Sequence, residues 1–179
     1  MADRLGMTAT IGILQTGAAP DLLIAEHGDY PDMFEALLRR HRPRLDFRVY
    51  RTLADELPGS IDDCDAWLIT GSRHSVLEAL PSMKRLAAFV RDVAHHDGRL
   101  AGIGFGHQIV ADALGGRVDR ATAGWVVGRR YYELIAGSRA GESVGLNAIH
   151  QDEVVSLPEA ARVVPPKLAP FRFSHTGPR

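Results

Sequence analysis

The stretch Leu100-Ala-Gly-Ile-Gly-Phe-Gly-His-Gln108 joins an apolar strand pattern to the start of a helical pattern. Residues 100–105 are predicted as a strand, and the helix follows at once. Gly102 and Gly106 flank Gly104 in the small-x-nucleophile-x-small spacing of a nucleophile elbow, a strained turn whose central residue points into a site. The helix that follows would aim its amide N–H groups and its dipole at the same point. The turn therefore predicts a site, although Gly104 itself has neither a thiol nor a hydroxyl.

Apolar runs alternate with helical patterns on the N-terminal side of this turn. Strands are predicted at residues 10–15, 45–50 and 66–70, and helices are predicted between Pro31 and Pro43 and from Pro81 to His95. Because strands and helices alternate at this spacing, we expect an α/β fold with a mostly parallel central sheet and helices on both faces. Ligands of such folds bind at the carboxyl ends of the strands, which is where the elbow lies.

The pattern shifts towards β structure from Arg117 onward. Residues 125–127 and 130–135 are predicted as two paired strands around Gly128, which would form a small antiparallel extension. The last fifteen residues, 165–179, contain four prolines and show little periodicity. We therefore expect an irregular tail or one short strand at that end.

Composition limits the classes of protein to which this chain can belong. With 179 residues, of which 45% are hydrophobic, residues 1–179 are expected to form a single domain around one core. The net charge of −1 provides no global field for nucleic acid or for a membrane, so we expect neither partner. The lone Cys64 cannot form an internal disulfide, and no signal segment is evident, so a cytoplasmic location is expected. We expect no metal, because the His95–His96 pair has no partner at metal-ligand spacing, and we expect no cofactor.

Three segments together carry a family resemblance. In chain order they are Trp67-Leu-Ile-Thr-Gly-Ser-Arg-His-Ser-Val76, Gly102-Ile-Gly-Phe-Gly-His-Gln108 and His150-Gln-Asp-Glu-Val-Val-Ser-Leu-Pro158. They resemble the oxyanion loop, the Gly-Ile-Cys-Phe-Gly-His-Gln elbow and the His-Gln-Asp-x-Val substrate segment of the class I glutamine amidotransferases. The likeness is greatest to stand-alone members similar to the amidotransferase domain of GMP synthase. It spans about residues 10–158, and the elbow keeps six of seven positions.

The resemblance implies both a fold and a set of site residues. The fold would be the flavodoxin-like three-layer sandwich of that family, with its pocket above Gly71, Gly104 and His150. Backbone N–H groups near Gly71, Ser72 and Phe105 would face the oxyanion. The place of the glutamine would be lined by Gln108, His150, Gln151 and Asp152. In the family the elbow cysteine attacks the side-chain amide of glutamine, a histidine relays protons, a glutamate orients that histidine, and ammonia is released to an acceptor.

Two departures from the family pattern predict that this chain is inactive. Gly104 stands where the cysteine belongs, so no covalent thioester can form at the elbow. The family's His-Pro-Glu segment is also missing, and its nearest match is His175, a weak candidate for the base, with no glutamate after it. We therefore expect a pseudoenzyme that binds glutamine or a γ-glutamyl compound, or that regulates a partner.

Alternatives to this interpretation remain open. The chain could be an active amidotransferase that works with a separate acceptor subunit, or a sequence truncated or altered from an active enzyme. His150 could serve as a general base or as a structural hydrogen-bonding residue. Cys64 is a poor substitute nucleophile, because the aspartates on both sides of it would raise the pKa of its thiol. Ser72 and His74 suggest a serine hydrolase, but residues so close in sequence seldom form a catalytic pair.

Overall fold

The central sheet has four parallel strands. The structure, a computed structural model, describes residues 8–134, 142–159, 161 and 173–174. The strands are β1 (Ala9–Gln15), β2 (Leu45–Arg51), β3 (Ala66–Ile69) and β4 (Leu100–Gly102), in the spatial order β2-β1-β3-β4. Because β2 lies to one side of β1 whereas β3 and β4 lie to the other, the chain reverses its winding direction between β1 and β3. Crevices at such switch points are where doubly wound sheets bind ligands.

Helices cover both faces of the sheet. They are α1 (Asp21–His27), α2 (Tyr30–His41), α3 (Pro81–His95) and α4 (Phe105–Ala113). α2 packs against β1 and β2, whereas α3 and α4 pack against each other and against β4. Right-handed crossovers in opposite winding directions place α2 and α3 on opposite faces, which confirms the predicted three-layer α/β sandwich. Among the described residues, no helix is both long enough and apolar enough to cross a bilayer.

The apolar core lies mainly on the α3–α4 side of the sheet. α3 buries Leu86, Val90 and Val93 almost completely, and each such side chain contributes roughly 1.5–3 kcal/mol of transfer free energy. The rings of Trp67 and Phe89 meet edge to face, with centroids 4.9 Å apart. On the opposite face, the only buried residue of α2 is its second residue, proline. The two faces are therefore covered unequally, and the elbow is built on the well-packed one.

The predicted strand over residues 100–105 is wrong in its extent. β4 ends at Gly102, and α4 begins at Phe105. The apolar side chains of Ile103 and Phe105 extend the strand-like pattern, but Ile103 lies in the turn and is 48% exposed, whereas Phe105 packs into the core from the helix. The Ile103 N–H still donates to the Ile69 carbonyl oxygen at 3.0 Å, which ties the turn to β3.

The antiparallel extension is confirmed, but the predicted pairing within it is wrong. β5 (Arg117–Arg120) pairs with β8 (Asp152–Ser156), and β6 (Val126–Leu134) pairs with β7 (Ser143–His150). Gly128 has the positive φ, 100°, that a turn requires, yet β6 runs straight through it in register with β7. Residues 125–127 and 130–135 therefore do not form a hairpin. Of the predicted tail, residues 173–174 form a short strand, β9 (Phe173–Ser174), beside β6. The rest of the tail lies outside the described residues.

Two glycines allow α4 to start against the sheet. A β-carbon on Gly102 would lie 2.3 Å from the carbonyl oxygen of Gly106, and one on Gly106 would lie 2.3 Å from the carbonyl oxygen of Ile69. Both distances are far inside van der Waals contact, and both obstacles are backbone atoms. A larger residue at either position would push the helix away from β3 and β4.

We predict that Gly106→Ala lowers the free energy of unfolding by about 2 kcal/mol, the usual range for an overpacked site. Gly59→Ala is the matched control, because its β-carbon would meet nothing closer than Asp63 Oδ2 at 3.8 Å, and we expect a change within about 0.5 kcal/mol. Urea unfolding measures both values. Equal effects of the two substitutions would contradict the close approach of α4 to the sheet.

Candidate functional site

Gly104 holds a backbone conformation that residues with side chains rarely adopt. Its φ is 59° and its ψ is −119°, and it directly precedes α4. A β-carbon built on it would lie 3.6 Å from the Cα of Gly71, and its nearest contact is therefore of ordinary van der Waals length. A side chain at position 104 would thus be strained by the backbone but not blocked by neighbours. It would point at the loop that follows β3.

Free amide donors surround the space above Gly104. The amide of Phe105, the first residue of α4, is one of the four N–H groups that a helix leaves without an internal acceptor. Within the described part of the chain, the amides of Gly71 and Ser72 also donate to no acceptor. The side chain of Ser72 has a separate task, because its Oγ accepts the His74 N–H at 3.1 Å. The predicted oxyanion donors thus lie on the two segments that meet at Gly104.

Two buried threonines hold the Gly71 loop in place. Thr16, just after β1, donates its N–H to Oγ1 of Thr70, which follows β3, at 3.0 Å. The Thr16 hydroxyl lies 3.0 Å from the Thr70 carbonyl oxygen and 3.1 Å from that of Gly71. These contacts pin together the carboxyl ends of two neighbouring parallel strands. Sequence reasoning missed Thr16, although a threonine directly after each of two adjacent strands is the signal for such a tie.

The wall opposite the elbow helix is formed by the segment after β7. The Gln108 side-chain amide donates to the Asp152 carbonyl oxygen at 2.9 Å, and Nδ1 of His150 lies 3.2 Å from the same oxygen. The Asp152 carboxylate is 4% exposed and pairs with Arg120 at 2.9 Å. The carbonyl of Gln151 accepts an amide of the chain after β5. The structure therefore brings these predicted residues together, with Asp152 committed to an ion pair rather than turned to solvent.

His107 is a further imidazole at this turn. Its Nδ1 lies 2.5 Å from the carbonyl oxygen of Gly104. Desolvation lowers the pKa of His107, and the nearby charge of His150 lowers it further, while the hydrogen bond to Gly104 opposes both effects. A neutral imidazole with Nδ1 as its donor matches this geometry. The side chain therefore braces the elbow carbonyl from outside.

The loop after Gly71 contains a second histidine with a defined partner. Nδ1 of His74 lies 2.9 Å from the Glu78 carboxylate, which also accepts the Ser75 N–H at 2.8 Å. These hydrogen bonds hold the pKa of Glu78 below its usual range. Because the His74 ring is turned to Glu78 and meets Ser72 only through its backbone N–H, the two residues form no hydroxyl–imidazole pair.

Tyr30 completes the surroundings of Gly71. Its ring carbon Cζ lies 3.9 Å from the position of a β-carbon on Gly71. Burial raises the pKa of Tyr30, the charge of Asp29 adds to that effect, and Arg73 opposes it. Asp29 caps α2 and accepts the Tyr30 N–H at 2.7 Å and the Ala19 N–H at 2.8 Å. The sequence offered no signal for Tyr30, since it lies far along the chain from every motif of the site.

Two other candidates are not part of this cluster. Cys64 precedes β3 and therefore lies at the amino edge of the sheet, away from the elbow. It is buried, and burial raises the pKa of its thiol. A hydrogen bond with Tyr50 and the charge of Arg48 oppose that effect, whereas the charges of Asp63 and Asp65 add to it. The expectation of an inert thiol agrees with this environment. His175 lies outside the described residues, so its place relative to Gly104 stays a prediction.

The sequence relatives of this chain are named either as a glutamine amidotransferase-like protein or as γ-glutamyl peptidases. No known family model matches the chain. It is 29% identical over 165 residues to a glutamine amidotransferase-like protein of Schizosaccharomyces pombe, covering 83% of this chain and 66% of that protein. It is also 29% identical over 167 residues to γ-glutamyl peptidase 4 of Arabidopsis thaliana, covering 82% and 63%. The chain spans between 58% and 66% of the length of the curated relatives it matches.

Solved structures share the fold. A glutamine amidotransferase from Thermotoga maritima superposes with a TM-score of 0.70 at 18% identity, over 87% of this chain and 66% of that one. A GMP synthase subunit from Thermoplasma acidophilum gives 0.61 at 17% identity, over 86% and 70%. These relatives and neighbours confirm the resemblance inferred from the three motifs.

We predict that Gly104→Cys, made together with Cys64→Ser, introduces a thiol whose pKa is lowered by the N-terminus of α4. Gly115→Cys in the same background is the matched control, because Gly115 also has a positive φ and open space but lies at the C-terminal end of α4. Alkylation by iodoacetamide as a function of pH should show the thiol at position 104 reacting at lower pH. Identical alkylation profiles for the two thiols would contradict the predicted lowering of the thiol pKa by the N-terminus of α4.

We predict that the stability supplied by neutral His107 is lost in acid. Because its pKa is lowered from 6.5 in the folded chain, the unfolded chain binds more protons between the lowered value and 6.5. The contribution is therefore fully present above pH 6.5 and falls as the pH drops through that window. Urea unfolding at pH 7.5 and 5.5 should show a smaller acid loss for His107→Asn than for the wild type. His41→Asn, at the exposed end of α2, controls for removal of an imidazole.

Proposed function

We propose that this chain, which has the motifs and the fold of the class I glutamine amidotransferases, binds glutamine or a γ-glutamyl compound and does not turn it over. The observation that carries the proposal is the geometry at Gly104. An elbow backbone, free amide donors and room for a β-carbon are all present there, while the residue itself has no nucleophilic atom. The groups that would bind a γ-glutamyl carbonyl are therefore present, whereas the atom that would attack it is missing at position 104.

The names of the relatives support the class of ligand. A glutamine amidotransferase and a γ-glutamyl peptidase both act on the carbonyl at the γ position of a glutamyl group, the first at a primary amide and the second at a peptide-like amide. The shared part of their substrates is the γ-glutamyl group. A carbonyl oxygen placed between Gly71 and Phe105 would accept hydrogen bonds from their free amides.

The chemistry explains why turnover is not expected. Cleavage in the family requires a thiolate that attacks the carbonyl carbon and forms a thioester, with the amine leaving after it takes up a proton. Glycine supplies no atom for this attack. Donors that remain when a catalytic unit is lost supply only residual acceleration, on the order of 10³–10⁴ over water, far below that of an intact enzyme.

Calorimetry and an ammonia assay on the same sample test the proposal. We expect saturable binding of L-glutamine and of γ-glutamylglycine, weaker binding of L-asparagine, which is one methylene shorter, and no release of ammonia or glycine above the buffer rate. Turnover at the rate of an intact amidotransferase would contradict the proposed inactivity. Failure to bind either γ-glutamyl ligand would contradict the proposed binding role.

Two substitutions of Gly104, with Gly115→Leu as a control, sharpen the test. Gly104→Leu should fill the open space and abolish glutamine binding, whereas Gly115→Leu, at the other end of α4, should leave it unchanged. Circular dichroism of both variants establishes that they fold. Gly104→Cys should place a nucleophilic thiol at the elbow and so restore thiol reactivity there.

A further inference from the structure

The chain changes from one sheet to another at Gln151. β7 ends at His150 and pairs with β6, whereas β8 begins at Asp152 and pairs with β5. The one residue between the two strands forms a bend. These three residues are also the wall opposite α4 in the proposed site. The contacts that hold this corner therefore determine how the wall stands beside a ligand.

β5 holds the corner through one side chain and one backbone group. Arg120 and Asp152 lie opposite each other in the β5–β8 ladder, and Arg120 Nη1 lies 2.9 Å from Asp152 Oδ1. The next residue, Ala121, donates its N–H to the Gln151 carbonyl oxygen at 2.8 Å. The ion pair and the end of the ladder thus meet at the residue where β8 begins.

The Asp152 carboxylate depends on Arg120 for its charge balance. The Asp152 side chain is 4% exposed, whereas that of Arg120 is 49% exposed. In the part of the chain that the structure describes, Arg120 is the one cation paired with this carboxylate. Removing one partner of a buried ion pair leaves an uncompensated charge away from water, which favours any movement that brings the charge to solvent. Loss of the guanidinium would therefore displace Asp152.

The backbone of Asp152 links the ion pair to two side chains of the proposed site. Its carbonyl oxygen accepts the Gln108 side-chain amide at 2.9 Å and lies 3.2 Å from Nδ1 of His150. Because a carbonyl oxygen can only accept, this contact is a hydrogen bond when His150 carries its proton on Nδ1. A displacement of Asp152 would release both side chains and free the tautomer of the imidazole.

We infer that Arg120 is a positioning residue of the ligand site. By neutralising the buried Asp152 carboxylate, it holds the corner at Gln151 and, through it, the orientation of His150 and Gln108. Arg120 lies outside the three motifs that carry the family resemblance, and it acts through Asp152. Its effect on affinity rests on the proposed function, whereas its effect on His150 is a property of the chain without ligand.

Four variants test the inference. Arg120→Ala removes the cation, Arg120→Lys keeps a cation, and Arg120→Ala combined with Asp152→Asn removes both charges. Arg117→Ala is the matched control, because Arg117 lies on the same strand and pairs at 3.5 Å with Asp119, but both of its partners are exposed, at 69% and 53%. Exposed pairs of this kind contribute little. Circular dichroism establishes that each variant folds.

Calorimetry with L-glutamine and with γ-glutamylglycine gives the first readout. We expect Arg120→Ala to weaken binding about tenfold or more, the usual effect of removing a hydrogen bond to a charged group. Arg120→Lys should recover part of that loss. The double variant should bind more tightly than Arg120→Ala, because it leaves no buried charge without a partner. Arg117→Ala should bind as the wild type does.

The tautomer of His150 gives a second readout that needs no ligand. At pH 8.5, where histidines are ordinarily neutral, long-range ¹H–¹⁵N spectra distinguish a proton on Nδ1 from one on Nε2, and the spectrum of His150→Asn assigns the signal. We expect the Nδ1–H form in the wild type and in Arg117→Ala. Arg120→Ala should shift His150 towards a mixture of the two tautomers.

A variant with a general loss of stability separates positioning from unfolding. Val93 of α3 is 1% exposed and lies beside Gly98, at the amino edge of the sheet and away from the elbow. Val93→Ala should lower the urea midpoint without changing the affinity or the His150 signal. If Arg120→Ala fails to fold, Arg120→Gln, which keeps a donor for Asp152 but no charge, replaces it in every comparison.

The outcomes distinguish this inference from the proposed function. If Arg120→Ala matches Arg117→Ala in both affinity and tautomer, the positioning role is overturned and the proposed function stands. A loss of affinity that Val93→Ala shares also overturns it. If the wild type binds neither ligand, the proposed function fails, and the His150 signal alone then decides whether Arg120 holds this wall.

Discussion

The close approach of α4 to the sheet is the constraint on which the site depends. Gly102 and Gly106 leave so little room that a single added carbon would strike a backbone oxygen on either side of the turn. This contact delivers the first amides of α4 to the carboxyl edge of β3, where the Gly71 loop begins. Moving the helix outward by the width of a methyl group would separate the two sets of donors and leave neither able to act on the same atom.

Hydrogen bonds around the elbow hold the Gly71 loop and the segment after β7 in place beside α4. The Thr16–Thr70 hydrogen bonds hold the Gly71 loop from below, and the Gln108–Asp152 hydrogen bond holds the segment after β7 against α4. Both ties run between elements that are far apart in sequence. Buried polar groups that are paired in this way resist rearrangement, because breaking one of these hydrogen bonds leaves a buried donor or acceptor without a partner. The walls of the site are therefore rigid even though its central residue is the most flexible amino acid.

Much of the fold follows from local patterns, and the parts that do not have clear physical causes. The strands at residues 9–15, 45–51 and 66–69 were predictable because apolar runs between turn residues have few other interpretations. α1 was not, since it buries none of its side chains and so leaves no periodic signal. The turn predicted at Gly128 was wrong because glycine between two apolar runs fits both a turn and a position within one strand, as it does here in β6. Around the elbow, the sequence predicted the motif residues. It did not indicate Tyr30, Thr16 or the His74–Glu78 pair, which depend on tertiary neighbours that no local pattern encodes.

The unusual dihedral angles at Gly104 also bear on the balance between reactivity and stability at this position. Any residue with a side chain pays a conformational penalty of roughly 1–3 kcal/mol in that region of the Ramachandran plot, whereas glycine occupies it freely. A cysteine at position 104 would bring a nucleophilic atom and this penalty together, whereas glycine brings neither. Reactivity and backbone stability are therefore opposed at position 104, which is the usual trade-off between activity and stability confined to one residue.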